Sequence, residues 1–182
     1  MAVKAIEVEI KGQSAILMHA YPLVPIEAIE KKSVAEQAEY AAYRDPETKG
    51  LYVPGVAIQR CMVNAATYSK GKGRGTLQRV VAACLLISPD RALLGQTTYA
   101  IDSRPVVMPA TKGRVMRHRP RLDAWGVRFT IEYDDTLLTE AQVRRIVDDA
   151  GSRVGLLDFR PERKGPFGRF IVTRWSTNGE RR

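Results

Sequence analysis

The stretch VRFTIEYDDTLLTEAQVRRIVDDAG, residues 127–151, predicts a strand followed directly by a helix. Its first seven residues alternate between apolar and polar side chains, which indicates a strand with one buried face. Thr139 is placed to cap a helix, Gln142 completes a capping box, and Gly151 stands on the C-terminal side. Because a half-buried strand needs a covering layer, this stretch favours an α+β domain.

The same patterns recur on both sides of this stretch. An alternating strand is predicted around Val8, and a short strand at 51–53 leads into a helix that begins at Pro54-Gly55. Residues 80–87 are almost wholly apolar, so their periodicity does not separate a strand from the end of a helix. Further strands are predicted at 97–101 and from Phe170 onward.

With two excursions set aside, the predicted order is βαββαβ, the ferredoxin-like (RRM-like) plan. The first excursion is a helical insertion at about 22–50 that is near neutral in charge. The second is a basic, thumb-like extended segment at about 104–125. We expect a single domain over residues 1–182, with a disordered tail at about 177–182.

The formal net charge of +9 and the pI near 9.8 favour a polyanionic partner, since neutralising phosphates releases condensed counterions. The sequence shows neither an amphipathic basic helix nor a lipidation signal, which disfavours a membrane partner. No signal-like or membrane-spanning apolar run occurs, so a cytoplasmic protein is expected. Cys61 and Cys84 lie in apolar runs without metal-ligand spacing, which predicts buried, reduced thiols. We expect no metal and no cofactor.

The segment Lys112-Gly-Arg-Val-Met-Arg-His-Arg-Pro-Arg121 carries five fixed positive charges and no acidic residue. Arginine dominates, and its guanidinium group both forks onto phosphate and stacks on bases. Tyr99 and Trp125 flank the segment, and aromatic rings beside basic residues are typical of single-strand stacking surfaces. This segment therefore predicts the main contact with single-stranded nucleic acid.

Two glycine-rich basic stretches extend the predicted surface. The loop at 70–75 lacks the Walker pattern, so it is either a clamp on the strand or a plain flexible connection. The stretch at 151–169 joins the capped helix to the last strand and offers backbone N–H groups to phosphate. The candidate binding residues are Lys70, Lys72, Arg74, Arg79, Tyr99, Lys112, Arg114, Arg117, His118, Arg119, Arg121, Trp125, Arg160, Arg163, Lys164, Phe167 and Arg169.

Two motifs resemble the RAMP (repeat-associated mysterious protein) superfamily. YVPGVAIQR, residues 52–60, looks like its strand-to-helix entry, and GPFGRF, residues 165–170, looks like the glycine-rich loop before its last strand. The excursion at about 104–125 lies where its CRISPR guide-RNA-binding backbone subunits carry a thumb-like hairpin. The resemblance implies a ferredoxin-like core, single-strand binding and side-by-side assembly along the strand. The short chain and the few glycines at 155–160 favour a stand-alone binder, for example from a phage or mobile element.

We therefore expect a non-catalytic binder of single-stranded DNA or RNA with little sequence preference, which self-associates along the strand. The alternatives are a guide-RNA-binding backbone subunit of a CRISPR-like ribonucleoprotein, a basic protein that assembles with acidic partners, and a metal-independent endoribonuclease. In that enzyme His118, ahead of His19, would deprotonate a 2′-hydroxyl beside arginine-bound phosphate. Asp123 is the acidic residue next to the basic segment that a test should include. Reversing Arg117 and Arg119 to Glu is expected to abolish binding without lowering the melting temperature.

Overall fold

A computed structural model describes residues 3–108 and 110–178 as strands, helices and connecting loops. The strands are β1 (Val3–Gly12), β2 (Ile16–Leu17), β3 (Tyr52–Pro54), β4 (Leu85–Ser88), β5 (Arg91–Leu93), β6 (Ala100–Val107), β7 (Arg114–Leu122), β8 (Gly126–Asp134) and β9 (Phe170–Asn178). The helices are α1 (Ile26–Glu30), α2 (Val34–Tyr40), α3 (Gly55–Ala65), α4 (Gln78–Cys84) and α5 (Glu140–Asp149). A π-helical turn at Ala150–Val154 extends α5, and short 3₁₀ turns lie at Ala66–Tyr68 and Pro161–Arg163.

Four strands form an antiparallel central sheet in the order β4-β8-β1-β9. In chain order α3 lies between β1 and β4, and α5 lies between β8 and β9. Each helix therefore connects two strands that have one other strand between them. This is the ferredoxin-like arrangement, so the predicted α+β fold class is confirmed.

One face of the central sheet forms the hydrophobic core. Its side chains meet in register across β1 and β8, where Ile6 pairs with Ile131 and Val8 with Phe129. These residues are buried together with Ile58 of α3 and Val143 of α5. Alternation in the strands and helical spacing in α3 and α5 thus bring the apolar stripes together.

The opposite face of the sheet has a mixed charge that includes three glutamates. Glu7, Glu9 and Glu132 alternate with the buried core residues, and Glu9 accepts a hydrogen bond from Arg128 Nε at 2.9 Å. Carboxylates on this face repel phosphate. The open sheet face is therefore a poor site for a nucleic acid, and the candidate interface lies elsewhere.

The stretch at 127–151 folds as the sequence predicts. Thr139 Oγ1 accepts a hydrogen bond from the Gln142 N–H, and Gln142 Oε1 accepts one from the Thr139 N–H at 2.9 Å, so the capping box is complete. The helical path continues beyond Gly151, and Gly155, with a φ of 78°, ends it. Gly151 has a different role, because a Cβ there would lie 2.2 Å from the Phe170 carbonyl oxygen of β9.

Residues 80–87 contain both the end of a helix and a strand. Helix α4 ends at Cys84, and β4 begins at Leu85 and pairs with β8. The helix end is correct, but β4 is an edge strand and not the central strand that so apolar a run favours. Val81 and Leu85 are buried while Ala82 and Leu86 are exposed, so the run shows neither period clearly.

The insertion at about 22–50 contains the helices α1 and α2. A second capping box, formed by Ser33 and Glu36, starts α2 and went unrecognised in the sequence. Helix α2 packs against β7, and Glu30 lies 3.8 Å from Arg117. The insertion is therefore in contact with the basic segment.

The basic excursion is a β-hairpin of β6 and β7, which joins β2 in a separate three-stranded sheet of order β2-β7-β6. The strand predicted at 97–101 begins later, at Ala100, and runs through Pro105. Proline is tolerated there because β6 is an edge strand. The hairpin agrees with the thumb-like element that the family resemblance implies.

The predicted disordered tail is wrong for Thr177, which pairs with Ile6 in the central sheet, and for Asn178, which pairs with Ala5. Residues 179–182 lie outside the described residues. Within the part of the chain that the structure describes, no helix is long and apolar enough to span a membrane.

Candidate nucleic-acid interface

A buried ion-pair node joins the hairpin to the glycine-rich turn at 155–169. Arg119 of β7 is 4% exposed and pairs with Asp158 of the turn. Its other Nη atom lies 3.5 Å from Asp102 of β6, which is also buried. Arg104 binds Asp102 through two hydrogen bonds and lies over the Phe167 ring at 4.9 Å. The node fixes the position of the turn relative to the hairpin.

Asp158 also contacts His19, whose Nδ1 lies 3.2 Å from Asp158 Oδ2. Burial by itself would raise the pKa of Asp158, but the hydrogen bonds from His19 and Arg119 outweigh it. The pKa of Asp158 is therefore held well below its usual range, and the carboxylate stays ionised. His19 comes just after β2, so three separate segments meet at this carboxylate.

The prediction that the charges of 112–121 are unopposed is wrong. Carboxylates from outside the segment approach three of the five cations: Glu30 approaches Arg117 at 3.8 Å, Asp102 and Asp158 bind Arg119, and the adjacent Asp123 binds Arg121 at 2.6 Å. Among the described residues, Lys112 and Arg114 near the hairpin tip have no such partner. The expectation that reversing Arg117 and Arg119 to Glu leaves the melting temperature unchanged is also wrong. Arg119→Glu would place three carboxylates together in a buried node, which destabilises the fold.

Two of the three predicted stacking aromatics belong to the core. Trp125 is 4% exposed, donates its indole N–H to the Ser14 carbonyl at 2.8 Å and packs edge-on against Phe170. Phe167 is 7% exposed and is covered by Arg104. Neither ring has a face open to a base, so both assignments are corrected.

Tyr99 is half-buried beside the insertion. Its hydroxyl donates to Glu39 at 2.6 Å, and Arg44 lies against its ring. Burial and this hydrogen bond raise the pKa of Tyr99 to about 12. The hydroxyl of Tyr99 and one side of its ring both contact residues of the insertion. Tyr99 therefore links the insertion to β6 within the fold.

A cleft of about 250 Å³ opens beside the ion-pair node. The wall that α3 supplies contains Arg60 and Cys61, the glycine-rich turn supplies Leu157 and Arg160, and His19 lies at the junction. Burial raises the pKa of Cys61 to about 12, and its thiol donates to the Gly155 carbonyl at 3.2 Å. Cys61 is thus an inert packing group, as predicted, while Arg60 is exposed.

The basic residues of the turn divide into fixed and open ones. Arg160 donates to Glu162 and to the Leu157 carbonyl, so its guanidinium is engaged within the turn. Arg169 donates to the Ser152 carbonyl. Arg163 and Lys164 are exposed and have no carboxylate partner within the described residues.

One contact ties this turn to α3, and a second joins the two short turns beside them. Asn64 Nδ2 of α3 donates to Glu162 at 2.8 Å. Arg153 of the π-helical turn lies at 4.7 Å over the ring of Tyr68, in the 3₁₀ turn between α3 and the loop at 70–75. The loop closes on itself through the pairing of Lys70 with Thr76. In the described chain, several exposed cations around α3 lack a carboxylate partner, and we call them the α3 basic surface: Arg60, Lys70, Lys72, Arg74, Arg163 and Lys164.

The other residues singled out in the sequence are not part of this set. Arg79 is exposed on α4, which packs against α3, and Asp123 is exposed in its pair with Arg121. His118 Nδ1 lies 2.7 Å from Ser103 Oγ of the paired strand. A carboxylate beside a histidine can orient its ring to act as a general base, and His19 has such a neighbour in Asp158. This is contrary to the predicted ranking of His118 ahead of His19. Within residues 3–108 and 110–178, no three metal-ligating side chains cluster.

Two solved structures are similar to this arrangement. A chain of the type III-B Cmr-beta complex, determined by cryo-EM bound to cognate target RNA, aligns over 97% of this chain and 61% of its own length, with a TM-score of 0.61 and 12% identity. Cmr6 from Pyrococcus furiosus aligns over 94% of this chain and 99% of its own length, with a TM-score of 0.51 and 12% identity. This protein shares the fold of these two chains. At such identity the likeness concerns the fold alone, and this chain spans about three fifths of the Cmr-beta chain. No protein-family model and no curated protein sequence matches it.

One of the two motifs that resemble the RAMP superfamily borders the cleft. YVPGVAIQR (52–60) enters α3 and supplies Ala57 and Arg60 to the cleft wall, whereas GPFGRF (165–170) ends the turn whose earlier residues, 155–160, form the other wall. Arg60 ends its motif but is not among the candidate binding residues predicted from the sequence. A basic side chain at the end of a recognised motif was the signal that pointed to it.

Proposed function

We propose that this protein binds single-stranded nucleic acid through the α3 basic surface, with the hairpin tip as a second contact. One observation carries the proposal: around α3, six exposed cations have no carboxylate partner in the described chain, whereas those of the middle hairpin do. Unpaired cations attract phosphate without first breaking an internal ion pair. The fold, which this protein shares with a chain from a complex bound to target RNA, supports the same assignment.

A single strand fits this surface better than a duplex. The surface extends around α3 and a cleft of about 250 Å³. A flexible single strand can follow such a path, whereas duplex DNA presents a stiff rod. Binding dominated by charge should show little sequence preference and a steep dependence on salt.

The first test uses Arg60→Glu on α3 combined with Arg163→Glu on the glycine-rich turn. Fluorescence anisotropy with single-stranded RNA, single-stranded DNA and duplex DNA is measured across a salt series. We expect the variant to bind single strands at least about tenfold more weakly, with the salt slope reduced by about 1.4 for two lost phosphate contacts.

The matched control is Lys31→Glu combined with Lys49→Glu. These lysines are exposed on the insertion, lack carboxylate partners among the described residues and give the same change in net charge. The control should retain most of the affinity, because only long-range attraction changes. Equal losses in the two variants would show that net charge, not the α3 basic surface, governs binding.

A second candidate is an RNA-binding subunit of a larger ribonucleoprotein. The alignment of almost the whole chain with chains from type III-B Cmr structures favours it. Protein purified from its native host would then carry a defined short RNA. The RNA would be visible as a high ratio of the absorbance at the nucleic-acid maximum to the absorbance at the protein maximum. A nucleic-acid-free preparation that binds added strands would favour the stand-alone binder.

A further inference from the structure

A second cavity, of about 270 Å³, lies between the insertion and strand β7. Its walls from the insertion are apolar and include Ile26, Ile29 and Ala41. His19 lines both this cavity and the cleft of the α3 basic surface. The two cavities therefore adjoin at His19.

Polar groups border the cavity from both of its walls. Arg117 and His118 border it from β7, and Gln37 borders it from α2. Gln37 donates its amide N–H to the Lys32 carbonyl at 2.9 Å, which leaves its side-chain oxygen as an acceptor. The guanidinium of Arg117 has one long ion pair, at 3.8 Å, and keeps donors for a ligand. The cavity thus offers donors and an acceptor beside apolar walls.

Two aromatic rings border the opening. Tyr21 is 82% exposed and Tyr40 is 37% exposed, and both line the cavity. Large exposed rings beside an apolar cavity are more often part of a binding site than of surface that binds no ligand. Neither tyrosine was among the stacking residues predicted from the sequence, because the insertion is near neutral and carries no basic run.

We propose that this cavity holds one unpaired nucleobase of the bound strand, an inference that rests on the proposed function. A base is a flat ring with polar edges, so apolar side chains, stacking rings and hydrogen-bonding groups around one cavity match its chemistry. The volume is slightly below the range of about 300–1,000 Å³ typical of drug-sized ligands, which suits a single ring system. The adjoining cleft supplies the cations for the phosphates on the same strand.

The test compares wild type with Tyr21→Ala combined with Tyr40→Ala. Two fluorescein-labelled probes of about twelve nucleotides are used, an oligouridine RNA and the same backbone with abasic sugars throughout. We expect the variant to bind the oligouridine about tenfold more weakly than wild type and the abasic strand within about twofold, because only base stacking is lost. Tyr21→Phe combined with Tyr40→Phe should retain wild-type affinity.

The matched control is Leu23→Ala combined with Val34→Ala, which removes two exposed apolar side chains of the same insertion outside the cavity. It should bind both probes like wild type. If wild type binds neither probe at low salt, the proposed function itself fails. If wild type binds both probes and the double alanine variant matches it, or weakens both equally, the base cavity is wrong while the α3 basic surface stands.

Discussion

Arg119 shows how the surroundings of one residue decide its role. In the sequence it is one of several arginines in a basic run, but in the fold it joins Asp102 and Asp158 in a buried node. Its Nε is also buried and has no acceptor in the described part of the chain. Arg119 therefore has no open donor for phosphate and serves to hold the hairpin against the glycine-rich turn.

We expect Arg119→Ala to lower the free energy of unfolding by about 3 kcal/mol, because it removes the buried cation that Asp102 and Asp158 share. Each carboxylate then keeps its other partner, Arg104 or His19. Arg114→Ala on the same strand is the control and should stay within about 0.5 kcal/mol, since that side chain is exposed near the tip. Urea unfolding followed by circular dichroism measures both. A small loss in Arg119→Ala would mean that the node does not contribute to stability.

The pH dependence of stability gives the same variant a second readout. Since the folded pKa of Asp158 is lowered, the unfolded chain binds more protons below about pH 4. Wild type therefore loses the contribution of Asp158 as the pH falls through this range towards the folded pKa. Without Arg119 that pKa moves back up, so the acid-induced loss should be shallower in Arg119→Ala.

At the scale of elements, the glycine-rich turn is shaped by contacts that leave no room for a side chain. A Cβ on Gly165 would lie 1.8 Å from the Phe159 carbonyl oxygen, and one on Gly168, which has a φ of 75°, would lie 2.1 Å from that of Leu156. Both glycines belong to the GPFGRF motif. The motif thus keeps the turn folded over the end of α5, where it forms one side of the cleft.

We expect Gly165→Ala to destabilise the protein by about 3 kcal/mol, the upper end of the usual cost of overpacking, and to weaken single-strand binding by disordering the turn. Gly75→Ala in the loop at 70–75 is the control, because its Cβ would meet its nearest neighbour at an ordinary 3.6 Å. Thermal unfolding and anisotropy measure the two effects. Unchanged binding by a folded Gly165→Ala would remove the turn from the interface.

The sequence predicted those elements whose signals are local. The alternation of β8 and the Thr139 capping box each lie within a few residues, and both were correct. Pairings between distant residues were not predictable: Asp158 lies 39 residues from Arg119, and no spacing rule relates them. Trp125 was misassigned because an aromatic residue near basic residues looks the same in the sequence whether its ring lies in the core or on the surface. The space beside Gly12 that admits its indole ring forms only in the folded protein.

At the scale of the whole molecule, charge is unevenly distributed. The insertion at 22–50 has six acidic and four basic residues, while the complete chain carries a net charge of +9. The insertion also exposes Leu23 completely and Val34 by nearly half. A slightly acidic, partly apolar region on an otherwise basic protein is complementary to the basic surface of another copy.

This asymmetry predicts that copies associate head to tail when a strand aligns them, since a contact between two different surfaces propagates without closing. Sedimentation velocity should show single protein molecules on a strand one site long and cooperative filling of strands several sites long. Leu23→Ser combined with Val34→Ser should abolish the cooperativity and leave binding to the short strand unchanged, because the α3 basic surface is intact. Equal affinity per site on short and long strands of the wild type would mean that each copy binds alone, with the insertion acting only through the base cavity.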